Sequence, residues 1–293
     1  MSDPVQADAA RGAVLITGAS TGIGRATALH LGSHGFRVFA GVRREADGER
    51  VASESSGAVN PVILDIADQD SIGAAARDLT DAVGDAGLHG LVNNAGVSQP
   101  GPMEIIPLDV LREQFEVNVI GQVAVTQAVL PLLRRARGRI VNVSSTGGRV
   151  ASPALGAYAG SKFAIEAISD SLRMELHPWG IDVSVIEPGS IRTEIWRRGL
   201  ETGDSTLERI PAQRRELYDG LLDAVRALAR ETERRAIAPE RVARRIERAL
   251  TSSRPRTRYV VGADARIQLA LARLLPDRGF DALVRLLLRR AAR

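Results

Sequence analysis

Hydrophobic positions along the chain follow two alternating rhythms. Short apolar, β-branched runs recur as AVLITG (13–18), FRVFAGV (36–42), AVNPVILDI (58–66), LHGLVNNAG (88–96), GRIVNVSS (138–145), IDVSVIEPG (181–189) and TRYVVG (257–262). Continuous runs of this kind fit strands buried on both faces rather than half-solvated ones. Between them, RATALHLGSHG (25–35), DSIGAAARDLTDAV (70–83), roughly 108–136, roughly 156–177 and PERVARRIERAL (239–250) carry helical spacing, with Gly35 as a stop and Pro239 near a start. Strand and helix in strict alternation predict βαβ units: an α/β fold, a Rossmann-type doubly wound parallel sheet of about seven strands with helices on both faces.

No linker or repeat interrupts this pattern, so one domain is expected over 13–262, after a polar segment at 1–12. Residues 190–237 break the rhythm: charged and Arg-rich, with Trp196, Leu200, Ile210, Leu217 and Leu221 spaced among polar positions. They read as an irregular or helical insertion after the sixth strand. Beyond 262, Ile267, Leu271, Leu274 and Leu275 sit at helical spacing up to Pro276. Phe280, Leu283, Val284, Leu287 and Leu288 repeat it, with Arg285 and Arg289 off the stripe. The 263–293 extension is therefore an amphipathic helical segment. Packing on the domain or on a subunit partner is its expected use. A flap over an apolar pocket and a peripheral membrane contact through 264–293 are the sharper alternatives.

Composition narrows the chemistry. A 44% hydrophobic fraction supports a buried core, and with aromatics at 3% that core must be Ala, Val, Ile and Leu. The absence of cysteine excludes disulfides, iron–sulfur clusters and thiol catalysis. His30, His34, His89 and His177 are scattered without metal-ligand spacing, so no metal site is expected. The net charge is only +4, acids and bases are mixed, and no basic patch is interleaved with aromatics, so nucleic acid is not an expected partner. The start lacks a basic segment followed by an apolar one, and no apolar run reaches about 18 residues. A cytoplasmic protein is the expectation.

One lysine stands among 39 basic residues: Lys162. It follows Tyr158 by four positions, which on a helix stacks phenol and ammonium on one face. A second motif, TGASTGIG (17–24), leaves the first strand and opens a helix, the context in which glycines let a backbone approach a pyrophosphate at a helix N-terminus. Its spacing is Gly18-x-x-x-Gly22-x-Gly24.

With NNAG (93–96), Asn118, Ser145, YAGSK (158–162) and PGSIRT (188–193) in order after TGASTGIG, the chain resembles the short-chain dehydrogenases/reductases over about residues 12–262, in their compact subgroup. The resemblance implies roles. Tyr158 exchanges a proton with the substrate oxygen and also contacts the cofactor, and Lys162 lowers the phenol pKa together with the nicotinamide ring and bonds the ribose hydroxyls. Ser145 holds the substrate oxygen, and Asn118 kinks its helix and places a relay water behind the lysine. Gly18, Ser20, Thr21, Gly22, Ile23 and Gly24 would cradle the dinucleotide. Asp65 and Ile66 would meet adenine, although an Asp there is also a common strand-end cap. Asn94, Ala95 and Gly96 would pass beneath a ribose, and Pro188, Gly189, Ile191 and Thr193 would face the nicotinamide and diphosphate. Where NAD enzymes carry an acid after the second strand, this chain has Val42 followed by Arg43, favouring NADP(H) over NAD(H), with Ser20 and Thr21 as added donors. Closer likeness of FRVFAGVRRE, VNPVILDIAD and the tail points to the branch containing hydroxysteroid and retinol dehydrogenases. An apolar alcohol, ketone or aldehyde is the expected substrate, and the two long helices are the expected contact of a homodimer or homotetramer. The alternative is a catalytically silent dinucleotide-binding sensor or scaffold.

Overall fold

The computed structural model describes residues 11–55 and 57–291, without the side chains of Trp196 and Leu200. The first ten residues of the expected polar segment, and those two apolar side chains, thus lie outside the described residues. Seven parallel strands form one sheet in the order β3-β2-β1-β4-β5-β6-β7: β1 Ala13–Ile16, β2 Arg37–Val42, β3 Val59–Ile63, β4 Gly90–Asn93, β5 Arg139–Val143, β6 Asp182–Pro188 and β7 Arg258–Val261. The order reverses between β1 and β4, which pair in register from Val14↔Gly90 to Ile16↔Val92. At such a switch point the connections leave in opposite directions and open a crevice beyond the strand C-termini.

Both faces are covered. One core joins Val14, Ile16, Val38 and Val141 to Leu31 of α1 (Gly22–Ser33) and to Val242 and Ile246 of α10 (Glu240–Thr251). The other joins Leu15, Leu91 and Ile140 to Leu79 of α3 (Gln69–Val83) and to Val125 and Val129 of α5 (Gly121–Ala136). With so few aromatics, aliphatic side chains fill these layers, as composition requires.

Three elements refine the expected helices. The long stretch is α4 (Leu108–Phe115), a π-helical turn (Glu116–Ile120) and α5, while α6 spans Gly156–Glu175. By length and mean hydropathy Leu108–Ala136 is apolar enough to cross a membrane, contrary to the expectation of no such stretch. Half of its most apolar window is buried inside the protein. The insertion is three helices, α7 (Glu194–Glu208), α8 (Ala212–Glu216) and α9 (Asp219–Arg234), closed at its base by an Ile191↔Ile237 bridge.

After β7, α11 (Ala263–Leu274) and α12 (Asp277–Ala291) form the extension, and α12 lies against α9. Leu288 is buried there, but Ile267, Leu274, Leu286 and Leu287 remain exposed. The histidines are not all scattered. His30 in the last turn of α1 and His34 just past its end meet Glu247 of α10, with ligand atoms within 4.8 Å. Glu247 already accepts from Arg11 at 3.0 Å and bonds His30 at 2.8 Å, so the cluster clips α1 to α10.

Candidate active site

A cavity of about 1080 Å³ opens where β1 and β4 part. It is lined by Gly18, Ser20, Thr21, Gly22 and Ile23 after β1; by Arg43 after β2; by Asp65 and Ile66 after β3; by Asn94, Ala95 and Gly96 after β4; by Ser145, Tyr158 and Lys162; and by Pro188, Gly189, Ile191 and Thr193 after β6. Residues spread over 176 positions are brought to one crevice by strand order alone.

Two expected site residues do not line it. Gly24 sits behind the loop: a Cβ there would lie 2.2 Å from the Gly18 carbonyl oxygen and 2.5 Å from Asn94 Nδ2. Its role is close helix-to-strand packing, the function of the last glycine in such loops. Asn118 is fully buried in the π-helical turn. Its Oδ1 accepts from Val97 N at 2.8 Å, and its Nδ2 donates to Val97 O and to Ser161 Oγ, each at 3.0 Å. It thus ties the helix to the β4 loop; single π-type turns of this kind recur at functional sites.

The glycine-rich loop fits a phosphate-bearing group. Gly18 and Gly22 adopt φ of +63° and +55°, open to glycine at no steric cost, and a Cβ at Gly18 would lie 2.8 Å from Ala95 Cα. Thr21 leads α1 without a side-chain cap, so the first amide groups of α1, at Gly22 and Ile23, face the cavity with the positive end of the helix. Thr17 Oγ1 accepts from Asn94 N and Ala95 N at 3.0 Å, and Asn94 Nδ2 donates to Thr17 O and Gly18 O, locking the β1 and β4 loops together.

At the other end, Tyr158 and Lys162 project from one face of α6, the ammonium 5.9 Å from the phenol ring centre. Lys162 Nζ donates to Val143 O at 2.9 Å. Burial pulls its pKa down to about 8, opposed by the charge of Glu166. Burial likewise pushes the Tyr158 phenol above its ordinary value, against the downward pull of its hydrogen bond with Ser145. In this structure desolvation outweighs that hydrogen bond, and the phenol is raised rather than lowered. Ser145 Oγ is itself oriented by Gly147 N, which donates to it at 3.0 Å.

Sequence reasoning missed the rim beyond β2. Arg25, Arg44, Asp47, Arg50 and Glu54 also line the cavity. Burial pushes the Asp47 carboxyl up, but hydrogen bonds from Arg44 (2.9 Å) and Arg50 (2.7 Å) win and hold it below its usual value. Arg25 pairs with Glu54. Among the described residues no carboxylate stands within ion-pair distance of Arg43. The Arg-rich RREADGER segment (43–50) was the only signal, and it does not reveal which arginine is spoken for.

The short chain dehydrogenase family model matches residues 12–202. This chain belongs to the short-chain dehydrogenase/reductase family. As a family member it is 39% identical to mouse (Mus musculus) retinol dehydrogenase 5, over 95% of this chain and 89% of the relative. It is 40% identical to 17-beta-hydroxysteroid dehydrogenase type 6 of Rattus norvegicus, over 95% and 89%. It is 35% identical to an NADPH-dependent 3-dehydrocapnine reductase of Ornithobacterium rhinotracheale, over 91% and 94%. Among solved structures, a short chain dehydrogenase from Burkholderia cenocepacia in complex with NADP superposes with a TM-score of 0.69 at 28% identity, covering 94% of this chain and 96% of that one. The chain is an oxidoreductase of this family, within the hydroxysteroid and retinol dehydrogenase-like branch.

Proposed function

We propose that the protein interconverts an alcohol and a ketone or aldehyde on an apolar, steroid-, retinoid- or lipid-like substrate, with NADP(H) as cofactor and Tyr158 as general acid/base. The observation that carries this reading is the convergence of Ser145, Tyr158 and Lys162 on the cavity wall, beside the phosphate-fitted loop. When bound, the dinucleotide supplies or accepts the hydride. Ser145 and Tyr158, bonded to each other through their hydroxyls, are placed so that both can donate to a substrate oxygen. Because burial keeps the phenol protonated at neutral pH, Tyr158 is ready to give its proton to a carbonyl in reduction. Lys162 would hold the nicotinamide-side ribose, and Asn118 fixes the β4 loop beside it. A silent sensor would not need this set, and no observation favours one.

Arg43 supports NADP(H): it stands on the rim with no carboxylate paired to it among the described residues, where the 2′-phosphate of the adenosine ribose would lie. The NADPH-dependent relative and the NADP-bound structure agree with that choice. An apolar substrate is supported by Val97 and Ile195 on the cavity wall. It is supported too by the way the insertion covers the loop after β4, with Gly199 against the Ser98 carbonyl oxygen and Ile105 packed on Leu207, Ile210 and Leu222. Leu108, Ile120, Phe163 and Met174 are exposed along α4 to α6, the apolar surface that a homodimer or homotetramer through these helices would bury. The deciding experiment follows nicotinamide absorbance with NADPH or NADH against a panel of apolar ketones and aldehydes, including steroids and retinal. Tyr158→Phe serves as control. Turnover that prefers NADPH and vanishes in the variant is expected. Tight dinucleotide binding with no turnover across the panel would instead favour the sensor reading.

A further inference from the structure

Behind the Tyr158–Lys162 face of α6 lies a group of charges that the reaction does not use directly. Glu166, one turn beyond Lys162, is buried, and so is Glu187 at the end of β6. Arg258 of β7 donates to Glu166 Oε2 at 2.9 Å and to Asp170 Oδ2 at 2.7 Å, and its Nε lies 3.5 Å from Glu187 Oε1. Arg149 reaches the same Glu187 oxygen at 3.1 Å from a half-exposed position. Three carboxylates therefore share three guanidinium groups, of which Arg173 reaches only Asp170 and leaves Glu166 and Glu187 to Arg258 and Arg149. Lys162 lies buried four positions before Glu166 on the same helix. Glu166 Oε1 and Ser144 Oγ are both buried without a hydrogen-bond partner. Gly148 shows how tightly they are grouped: a Cβ there would lie 2.5 Å from Ser144 Oγ, 3.0 Å from Glu166 Cγ and 3.1 Å from Lys162 O.

We propose that Glu166 is a positioning residue for the catalytic pair: its buried carboxylate, clamped by Arg258, supplies the negative charge that keeps the desolvated Lys162 an ammonium. This rests on the reading of Tyr158 and Lys162 as the working pair; the geometry behind it is that Glu166 lies buried one helical turn from Lys162 on α6. A buried ammonium is destabilised by lost hydration, and an opposite charge nearby is what offsets that loss. The Coulombic pull of Glu166 on Lys162 acts in this direction, and the like charge of Glu166 helps push Glu187 up, after burial itself. Arg258 sets how much of the Glu166 charge is left for the lysine. The third carboxylate, Asp170, is half-exposed and directed at Arg258 and Arg173.

Because Lys162 is the chain's only lysine, protein made with lysine labelled at Cε gives one side-chain NMR resonance to titrate, whatever the substrate. Glu166→Gln keeps the shape and removes the charge. The Lys162 midpoint is then expected to fall by about one pH unit, roughly a tenfold loss of charged fraction on the alkaline side. Glu166→Asp should restore most of it. Should Glu166→Gln fail to melt cooperatively, Arg258→Gln gives the opposite sign, an upward midpoint as Glu166 is released toward the lysine. An unchanged midpoint in a folded variant overturns the proposal. So does an activity profile that drops by the same factor at every pH, since a purely structural role would do that. Failure of catalysis in the wild type would leave the NMR result readable, so the two readings fail separately.

Discussion

The Lys162 ammonium donates to the carbonyl oxygen of Val143 at 2.9 Å, tying the catalytic face of α6 to the last residue of β5. This single bond is a modest return for a buried charge, and the pKa of about 8 says so. A base whose folded pKa lies below its unfolded value, ordinarily near 10.4, is protonated more in the unfolded chain. Burying the charged lysine therefore opposes folding fully below about pH 8, by about 3 kcal/mol. That opposition fades as pH rises toward 10.4. Lys162→Met removes it. In urea unfolding, the stability of the variant relative to wild type should accordingly shrink by about 2 kcal/mol between pH 8 and pH 10. The raised Tyr158 phenol acts with the other sign, but only above about pH 10 and in both proteins. A pH-independent difference would contradict the buried-ammonium assignment.

Gly24 and Gly220 form a contrasting pair. At Gly24 an added methyl meets the Gly18 carbonyl at 2.2 Å, a backbone atom that cannot move without deforming the loop. At Gly220, in the first turn of α9, it meets nothing within 4 Å. Gly24→Ala should lower stability by about 3 kcal/mol and weaken NADPH binding, since the loop must shift. Gly220→Ala should leave binding alone and raise stability by up to about 1 kcal/mol through helix propensity. Thermal melts and NADPH fluorescence titrations on the two variants check both statements.

The sheet and the crevice were legible because they depend on local pattern: β-branched runs, glycine turns and Tyr158-x-x-x-Lys162 all lie within a few residues of one another. What stayed hidden depends on pairings made only by folding. Glu166 reads as an exposed helical acid until Arg258, 92 positions away, is brought beside it. Asp47 looks like one more charge in a mixed segment until Arg44 and Arg50 close on it. His30 and His34 find Glu247 only because α1 and α10 share a sheet face. Gly24 belongs to the motif by spacing, yet its contact is with packing atoms behind the loop rather than with the cavity. The π-helical turn at Asn118 likewise leaves no mark on a 3.6-residue period.

Tyr158→Phe and Ser145→Ala should separate proton transfer from orientation. Removing the phenol hydroxyl eliminates the acid/base group, and a loss of 10²- to 10⁴-fold in turnover is the ordinary size of that contribution. Ser145→Ala keeps the acid but removes a hydrogen bond that lowers the phenol pKa. Its turnover should fall too, and any residual activity in the alcohol-oxidising direction should need a higher pH than wild type. Both variants should bind NADPH as wild type does by fluorescence titration. Loss of dinucleotide affinity in either would place these side chains in the binding machinery instead.

Cofactor choice should turn on which rim arginine is spoken for. Arg44 and Arg50 are engaged with Asp47, whereas Arg43 is not ion-paired among the described residues. A charge-assisted hydrogen bond contributes about 1.5–3 kcal/mol, so Arg43→Ala should weaken NADPH about ten- to a hundredfold and NADH little. Asp47→Asn should act the other way: it releases two guanidinium groups on the same cavity rim and should tighten NADPH selectively. Dissociation constants for both nucleotides, measured by fluorescence at low and at high salt, decide the matter. The selectivity of Asp47→Asn should fade with salt if it is electrostatic. Equal losses for NADPH and NADH in Arg43→Ala would show that Arg43 holds a part common to both nucleotides, and the 2′-phosphate assignment would fall.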